Sequence, residues 1–412
     1  MTKKTHLWPE NIVETEGQIL VSAVVENQNQ KRTNLWYRLG AEHRHLLTKT
    51  SDPFVVAMIF NAMRKSTDLY VHGQVSPSLL LNLEEFQAIW NCWLPNRYTK
   101  IEINADIEQP QPKRKRSENS VMAFSGGVDS CFTAWRHHNG SCGRSRRNLR
   151  AAIMIHGFDI PLEEKNVFER AAKNSQKILT PLGIKLTSVA TNFRDLDDYW
   201  NDAHAAGLAS CLMLLQEGYE IGLIASSPPY NNISIAPPWG SNPITDRLLS
   251  NDTFEIIHDG AAFTRAEKIR AISNWPQALR YLRVCWEGEE KDRNCCRCEK
   301  CIRTILNFRV IGLALPACFE QDITDSQIAA VRGLNAQHLF DYKKMLSNAK
   351  AAGICDSWVT SLEKCIKQNE NILNRRRSLW QRIRKTVALR THMRQLVLQS
   401  DFRKASAVQG AK

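Results

Sequence analysis

The spacing of apolar and polar positions divides the chain into successive patterns. Up to about residue 108, strand-like and helical segments are mixed. Gln18–Glu26, Asn34–Leu39, Asp68–Val75 and Tyr98–Asp106 read as strands, the last with Ile101, Ile103 and Ala105 on one face. Helices are expected over Pro53–Lys65 and after Ser76-Pro77-Ser78, where Leu80, Phe86, Ile89 and Trp90 recur. This stretch reads as a small α+β domain. From 120 to about 320, short apolar runs alternate with helical periods, as in an α/β domain whose parallel sheet carries helices on both faces. The strands are Val121–Phe124, Ala151–Ile155, Lys185–Ala190, Glu220–Ala225 and Glu255–Ile257. Helices follow at Asn166–Leu179, at His204–Gln216 and after Thr264, which suits an N-cap. From 321 to 412 only helices are expected: Thr324–Arg332, Ala336–Ala352, Asp356–Leu373 and a last one striped by Leu379, Ile383, Val387 and Leu396. Between the first two domains, 109–119 is rich in proline and charge and has no apolar residue, the composition of a linker.

One junction carries chemistry. The apolar run ending at Phe124 breaks at Ser125-Gly126-Gly127, and helical spacing resumes from Ser130 through Phe132, Ala134 and Trp135. A strand, a glycine turn and a helix start form an anion site: glycine permits close approach, N–H groups converge, and the helix dipole favours negative charge. Hydroxyls of Ser125 and Ser130 can add hydrogen bonds. Asp129 would repel a bare phosphate, so its presence suggests a bound Mg²⁺. No Gly-Lys-Ser/Thr follows, which excludes a Walker P-loop. Ser125-Gly126-Gly127-Val128-Asp129-Ser130 resembles instead the PP-loop of the ATP pyrophosphatase superfamily, whose members cleave ATP to AMP and pyrophosphate.

In open α/β sheets a ligand sits outside the carboxyl ends of the strands. The polar residues there are therefore candidates: His156 and Asp159, Ser226 and Ser227, His258 and Asp259, with Arg265 and Lys268 on the next helix. The bland alternatives are structural hydrogen bonding for the histidines and a solvated helix for the cations. Trp239 and Leu248 in the loop Pro237–Ser250 suit a lid or pocket wall. His43 and His45 read as a solvated turn, since a metal site needs more ligands.

Composition adds compartment and partners. Forty-three per cent hydrophobic and 24% charged residues are ordinary for a globular protein. No apolar run reaches the roughly 20 residues that span a bilayer, and the N-terminal residues lack an apolar signal segment, so the cytoplasm is expected. The net charge is +13, and residues 375–404 hold ten Lys or Arg against one acid, Asp401, a net +9. That tail is either a solvated helix or a docking surface for RNA, an acidic protein or anionic lipid; Trp380 and Phe402 are few for base stacking. Lys113-Arg114-Lys115-Arg116 is short for an electrostatic site and reads as solvated linker. Nothing in the sequence fixes the oligomeric state.

Twelve cysteines in a reducing compartment point to metal more than to disulfides. Cys285, Cys295, Cys298 and Cys301 give Cys-x9-Cys-x2-Cys-x2-Cys, a spacing for tetrahedral Zn²⁺ in a closed, structural site. An iron–sulfur cluster is the competitor. Cys296 breaks the x2 spacing as a ligand. Arg293, Arg297, Lys300 and Arg303 can offset the thiolate charge.

The PP-loop followed by this cysteine set resembles 7-cyano-7-deazaguanine synthase and its relatives over about 120–310. Thr264-Arg265-Ala266-Glu267 stands where that branch has Thr-Lys/Arg-x-Glu. The resemblance implies ATP and a structural zinc. It also implies a reaction in which a carboxylate is adenylated and a nitrogen nucleophile displaces AMP. Cys296 stands where the branch usually has glycine, His156-Gly157-Phe158-Asp159 matches its acidic aromatic segment only loosely, and the flanking parts have no counterpart. The deazaguanine substrate is therefore not carried over. The expected function is an ATP-dependent, AMP-forming ligase or synthase acting on a carboxylate- or amide-type substrate, small or macromolecular. Alternatives are a tRNA-modifying PP-loop enzyme and an ATP-binding regulatory or scaffold protein.

Overall fold

The computed structural model describes residues 3–112, 118–196 and 199–375. Lys113-Arg114-Lys115-Arg116, the basic tail beyond Arg375 and its apolar stripe lie outside them. By internal contacts the chain forms two units, Met1–Ile323 and Thr324–Lys412.

The first unit is built on one mixed sheet. Its strands are β1 (Lys4–Pro9), β2 (Val13–Thr15), β3 (Gln18–Glu26), β4 (Arg32–Gly40), β5 (Asp68–Val75), β6 (Ile103–Glu108), β7 (Asn119–Ala123), β8 (Asn148–His156), β9 (Lys185–Thr191), β10 (Ile221–Ala225) and β11 (Glu255–Asp259). They are ordered β11-β10-β7-β8-β9-β4-β3-β1-β5-β6, with β2 on β3. The five strands β7 to β11 pair parallel throughout. The three central strands β7, β8 and β10 have nearly all-apolar cores, as strands covered on both faces require, whereas β9 alternates buried and exposed positions.

The expectation of a parallel sheet is corrected at β9. There β4 joins antiparallel, with Tyr37 opposite Thr191 and Arg38 opposite Ala190. Asn192 extends the ladder with its side chain: Trp36 N–H donates to Asn192 Oδ1 at 3.0 Å, and Asn192 Nδ2 donates to Asn34 O at 2.8 Å. The N-terminal strands thus cover an edge that would otherwise present unpaired amides. The expected boundary at 109–119 does not divide the contacts either. One apolar core runs from Leu7 and Val21 through Phe60 and Trp90 to Val189, Leu212 and Ile256. Tyr37 Oη donates to Ser210 Oγ across it at 3.1 Å. Buried Asp52 accepts from Ser76 and from Asn251, tying the N-terminal helix Asp52–Lys65 to the loop before β11. A proline- and charge-rich composition marks a connection that runs over the surface; it says nothing of whether the segments it joins share a core.

The chain enters the parallel part at β7, adds β8 and β9 on one side, then crosses back to place β10 and β11 on the other. The carboxyl ends of β7 and β10 therefore flank a topological switch point, where open α/β sheets bind ligands.

The second unit is helical where described. Thr324 and Gln327 form a capping box on the helix Asp325–Ala330. Asn335 caps Ala336–Ala351, and a further helix begins at 357. Asn369 ties the last helix to Val331 and Leu334. Among the described residues no helix is long and apolar enough to cross a membrane.

Candidate functional site

At the switch point, β7 runs out at Ala123 and the helix Val128–His138 begins after four intervening residues. Gly126 takes φ +75°, a conformation that strains any side chain. Gly127 is the N-cap and no side chain caps the helix. Gly127 N–H donates to Ser125 Oγ at 3.3 Å, and the N–H groups of the first helical turn have no side-chain cap, a geometry that can receive an anion. Ser125 Oγ and Ser130 Oγ lie 3.4 Å apart beside it, and Ser130 Oγ donates to Gly127 O at 3.1 Å.

A pocket opens onto this turn. Its lining includes Ser125, Gly127, Val128, Asp129, Asp159 and Ser227, together with Arg265, Arg283, Trp286, Lys300 and Arg303. Four cations thus face two carboxylates, a balance that suits an anionic ligand.

Asp129 does not stand free. Lys268 Nζ donates to its Oδ1 at 2.9 Å and Arg265 Nη1 to its Oδ2 at 3.3 Å. Burial alone would push the Asp129 carboxyl up, but Lys268 and then Arg265 outweigh it and hold it below its ordinary value. Lys268 is fully buried and also donates to Ser226 O at 2.5 Å. The two cations reach Asp129 together because they sit three residues apart on the helix Arg265–Ile272. Thr264 caps that helix in a capping box with Glu267. In Thr264-Arg265-Ala266-Glu267, then, the outer residues fix the helix start and Arg265 projects toward the pocket. The Mg²⁺ role expected of Asp129 does not fit this arrangement, since each carboxylate oxygen already has a cation. Asp159 is the more open carboxylate, with a side chain 41% exposed and Arg283 Nη2 at 3.5 Å.

Four expected residues, His156, Ser226, His258 and Asp259, do not line the pocket. His156 Nε2 is 2.8 Å from Pro161 O and the ring stacks on Phe168, so it braces the loop after β8. His258 Nδ1 is 2.8 Å from Asp246 Oδ2, and both side chains are buried. Asp246 also accepts from Ser241 Oγ and Asn242 N–H, so the loop Pro237–Ser250 folds around it as an anchored structure. No residue of that loop lines the pocket among the described residues. Asp259 accepts from Thr133 Oγ1 at 2.8 Å and faces His137, which binds β11 to the helix Val128–His138. Ser226 is buried and contributes its carbonyl to Lys268; Ser227 reaches the pocket. His43 and His45 sit in the short 3-10 helix Ala41–Leu46.

The four cysteines converge. One sulfur from each of Cys285, Cys295, Cys298 and Cys301 lies within 4.8 Å of the others, a set that can bind a metal such as zinc. Cys298 Sγ and Cys285 Sγ are 3.7 Å apart, and Cys295 Sγ and Cys301 Sγ 4.0 Å. Thiolates about 2.3 Å from a tetrahedral zinc are separated by roughly 3.8 Å. Backbone N–H groups of Cys298 and Cys301 donate to Cys295 Sγ and Cys298 Sγ, the knuckle geometry that the x2 spacings implied. Cys296, between them, takes φ 58°. The cluster also shapes the pocket. Arg283 and Trp286 lie on either side of its first cysteine, Cys285, and Lys300 and Arg303 flank Cys301. Burial lowers the Lys300 ammonium below its ordinary value; Asp159 opposes the fall and Arg265 and Arg303 add to it. Sequence reasoning gave Lys300 and Arg303 to thiolate balance and passed over Arg283 and Trp286. The signal that could have found them is their adjacency to the cysteines.

No family model, curated protein or solved structure matches the chain.

Proposed function

We propose that the protein is an ATP-dependent, AMP-forming enzyme of the PP-loop class, similar to 7-cyano-7-deazaguanine synthase. In this reading it adenylates a carboxylate- or amide-type oxygen with loss of pyrophosphate, and a nitrogen nucleophile then attacks the activated carbon and displaces AMP. The observation that carries the proposal is the uncapped helix start at Gly127, set at the switch point of five parallel strands and faced by four cations. The N–H groups at the helix start and the Ser125 and Ser130 hydroxyls hold the pyrophosphate portion of ATP. Arg265, Lys300 and Arg303 offset the charge that grows on pyrophosphate as it leaves, and they are fixed before reaction. Asp129 serves as the anchor that aims Arg265 and Lys268. No step is assigned to Mg²⁺ at this carboxylate.

The cysteine set is proposed as a structural zinc site. Its sulfurs stand at single-metal spacing, whereas a polynuclear iron–sulfur cluster, with each thiolate on a different iron, would hold them farther apart. Four thiolates leave zinc no open position for catalysis. Against the tRNA-thiolation alternative, burial pushes the Cys131 and Cys211 thiols well up, so neither is poised to carry sulfur.

The test is mass spectrometry of ATP reactions against a panel of carboxylic acids and amines, with and without bulk tRNA. AMP and pyrophosphate in equal amounts, dependent on one acid, support the proposal. ADP and phosphate overturn it, and dependence on tRNA moves the reading to the RNA-modifying class.

A further inference from the structure

The cysteine cluster and the phosphate-type loop are far apart in sequence, yet two buried side chains join them. Asn294, immediately before Cys295, is 5% exposed. Its Oδ1 accepts from Val284 N–H at 2.8 Å and Cys285 N–H at 3.2 Å. Its Nδ2 donates to Leu282 O at 2.8 Å and Cys318 O at 3.0 Å. The residue enclosed by these bonds is Arg283. Its backbone N–H donates to Gly126 O at 2.8 Å and its Nε to Ser125 O at 3.3 Å. Its Nη1 reaches Lys291 O at 3.1 Å, on the chain that leads back to Cys295.

Arg283 therefore spends its backbone N–H and its Nε on two carbonyls of the glycine turn. Its place depends on a segment that Asn294 pins and that ends at the ligand-type residue Cys285. The turn needs such a support. Gly126 is held at φ +75°, and glycine has more backbone freedom to lose than any other residue. A bare helix start binds an anion well only if its N–H groups already converge, since ordering them on binding costs affinity.

We propose that Arg283 and Asn294 are positioning residues that make the geometry of the Gly126–Ser130 anion loop depend on metal in the four-cysteine cluster. With metal bound, Cys285 and Cys295 are fixed relative to each other, the 282–285 segment is held, and Arg283 clamps the turn. With metal removed, the clamp loosens and the loop loses its preformed shape while the sheet persists. This concerns the loop itself; it rests on the nucleotide reading only for what the loop holds.

The experiment is hydrogen exchange of the full-length zinc-loaded chain, compared with protein stripped by chelator under reducing conditions. In wild type, stripping is expected to speed exchange of the Gly127 and Cys131 amides, which donate to Ser125 Oγ and Gly127 O, about tenfold while the β8 and β10 amides stay protected. Arg283→Met is expected to exchange fast there with zinc at full stoichiometry, and to respond no further to stripping. Arg283→Lys keeps the charge and backbone bond but not the reach to Ser125 O, and serves if the methionine variant folds poorly. The proposal is overturned if stripping speeds exchange at 294–301 and leaves the Gly127 and Cys131 amides unchanged. It also fails if zinc-loaded Arg283 variants protect the loop as wild type does. ATP binding is measured in parallel. A loop that responds to metal in a protein that binds no ATP upholds the coupling and refutes the nucleotide reading.

Discussion

At the scale of single residues, Asp129 has the most at stake. Its carboxylate is the shared partner of a fully buried lysine and a nearly buried arginine. Breaking a buried pair leaves an uncompensated charge, so Asp129→Asn should lose about 3 kcal/mol at pH 7, measured by urea denaturation. Because the folded-state pKa is depressed, this contribution is present above the unfolded value of about 3.9. It is lost as pH falls through the lower folded value. The gap between wild type and Asp129→Asn should accordingly narrow as pH drops below about 4. Cys296 makes the opposite case. It holds φ 58°, where a side chain costs about 1 kcal/mol relative to glycine. Cys296→Gly should keep full metal stoichiometry with equal or higher stability, whereas β-branched Cys296→Val should destabilise by more than about 1 kcal/mol. Thermal denaturation with metal analysis separates the two.

At the scale of elements, several signals were local and were readable. Gln18–Glu26 and Asp68–Val75 were expected as strands and are strands between those same residues. Thr264 was expected as an N-cap, and it caps. Thr264→Ala should cost about 1 kcal/mol and loosen Arg265 and Lys268, while Thr264→Ser should retain most of the stability. Chemical denaturation of the pair is the check. The strand-end rule was weaker because it names a position along a strand and no direction for a side chain. Successive strand residues point to opposite faces. His258 turns to Asp246 while Asp259 turns to Thr133 and His137, and neither enters the pocket. His156 was lost to the pocket in a similar way, drawn to a carbonyl of its own loop.

At the scale of the whole molecule, the sheet passes from parallel to antiparallel between β9 and β4, and one apolar core lies beneath both parts. A fragment limited to 118–323 would expose the β9 edge and the apolar surface of the helix Trp200–Met213 that the helix Asp52–Lys65 now covers. It should aggregate or remain protease-sensitive where Met1–Ile323 resists, as circular dichroism and limited proteolysis would reveal.

Taken alone, the sequence determined much of what is encoded over short distances: the period of most strands and helices, though not of β1 and β2, the glycine turn after an apolar run, the Thr264 cap, and a cysteine spacing that a single tetrahedral metal can satisfy. Each depends on neighbours within a few residues, where backbone geometry leaves few alternatives. Tertiary structure decided what depends on partners far along the chain. It brought β4 to β9, gave Asp129 to Lys268 and Arg265 in place of a metal ion, and set Arg283 against the glycine turn. Those pairings are selected by burial, charge and hydrogen-bond satisfaction in the assembled core, and no local pattern records which distant residue will supply the partner.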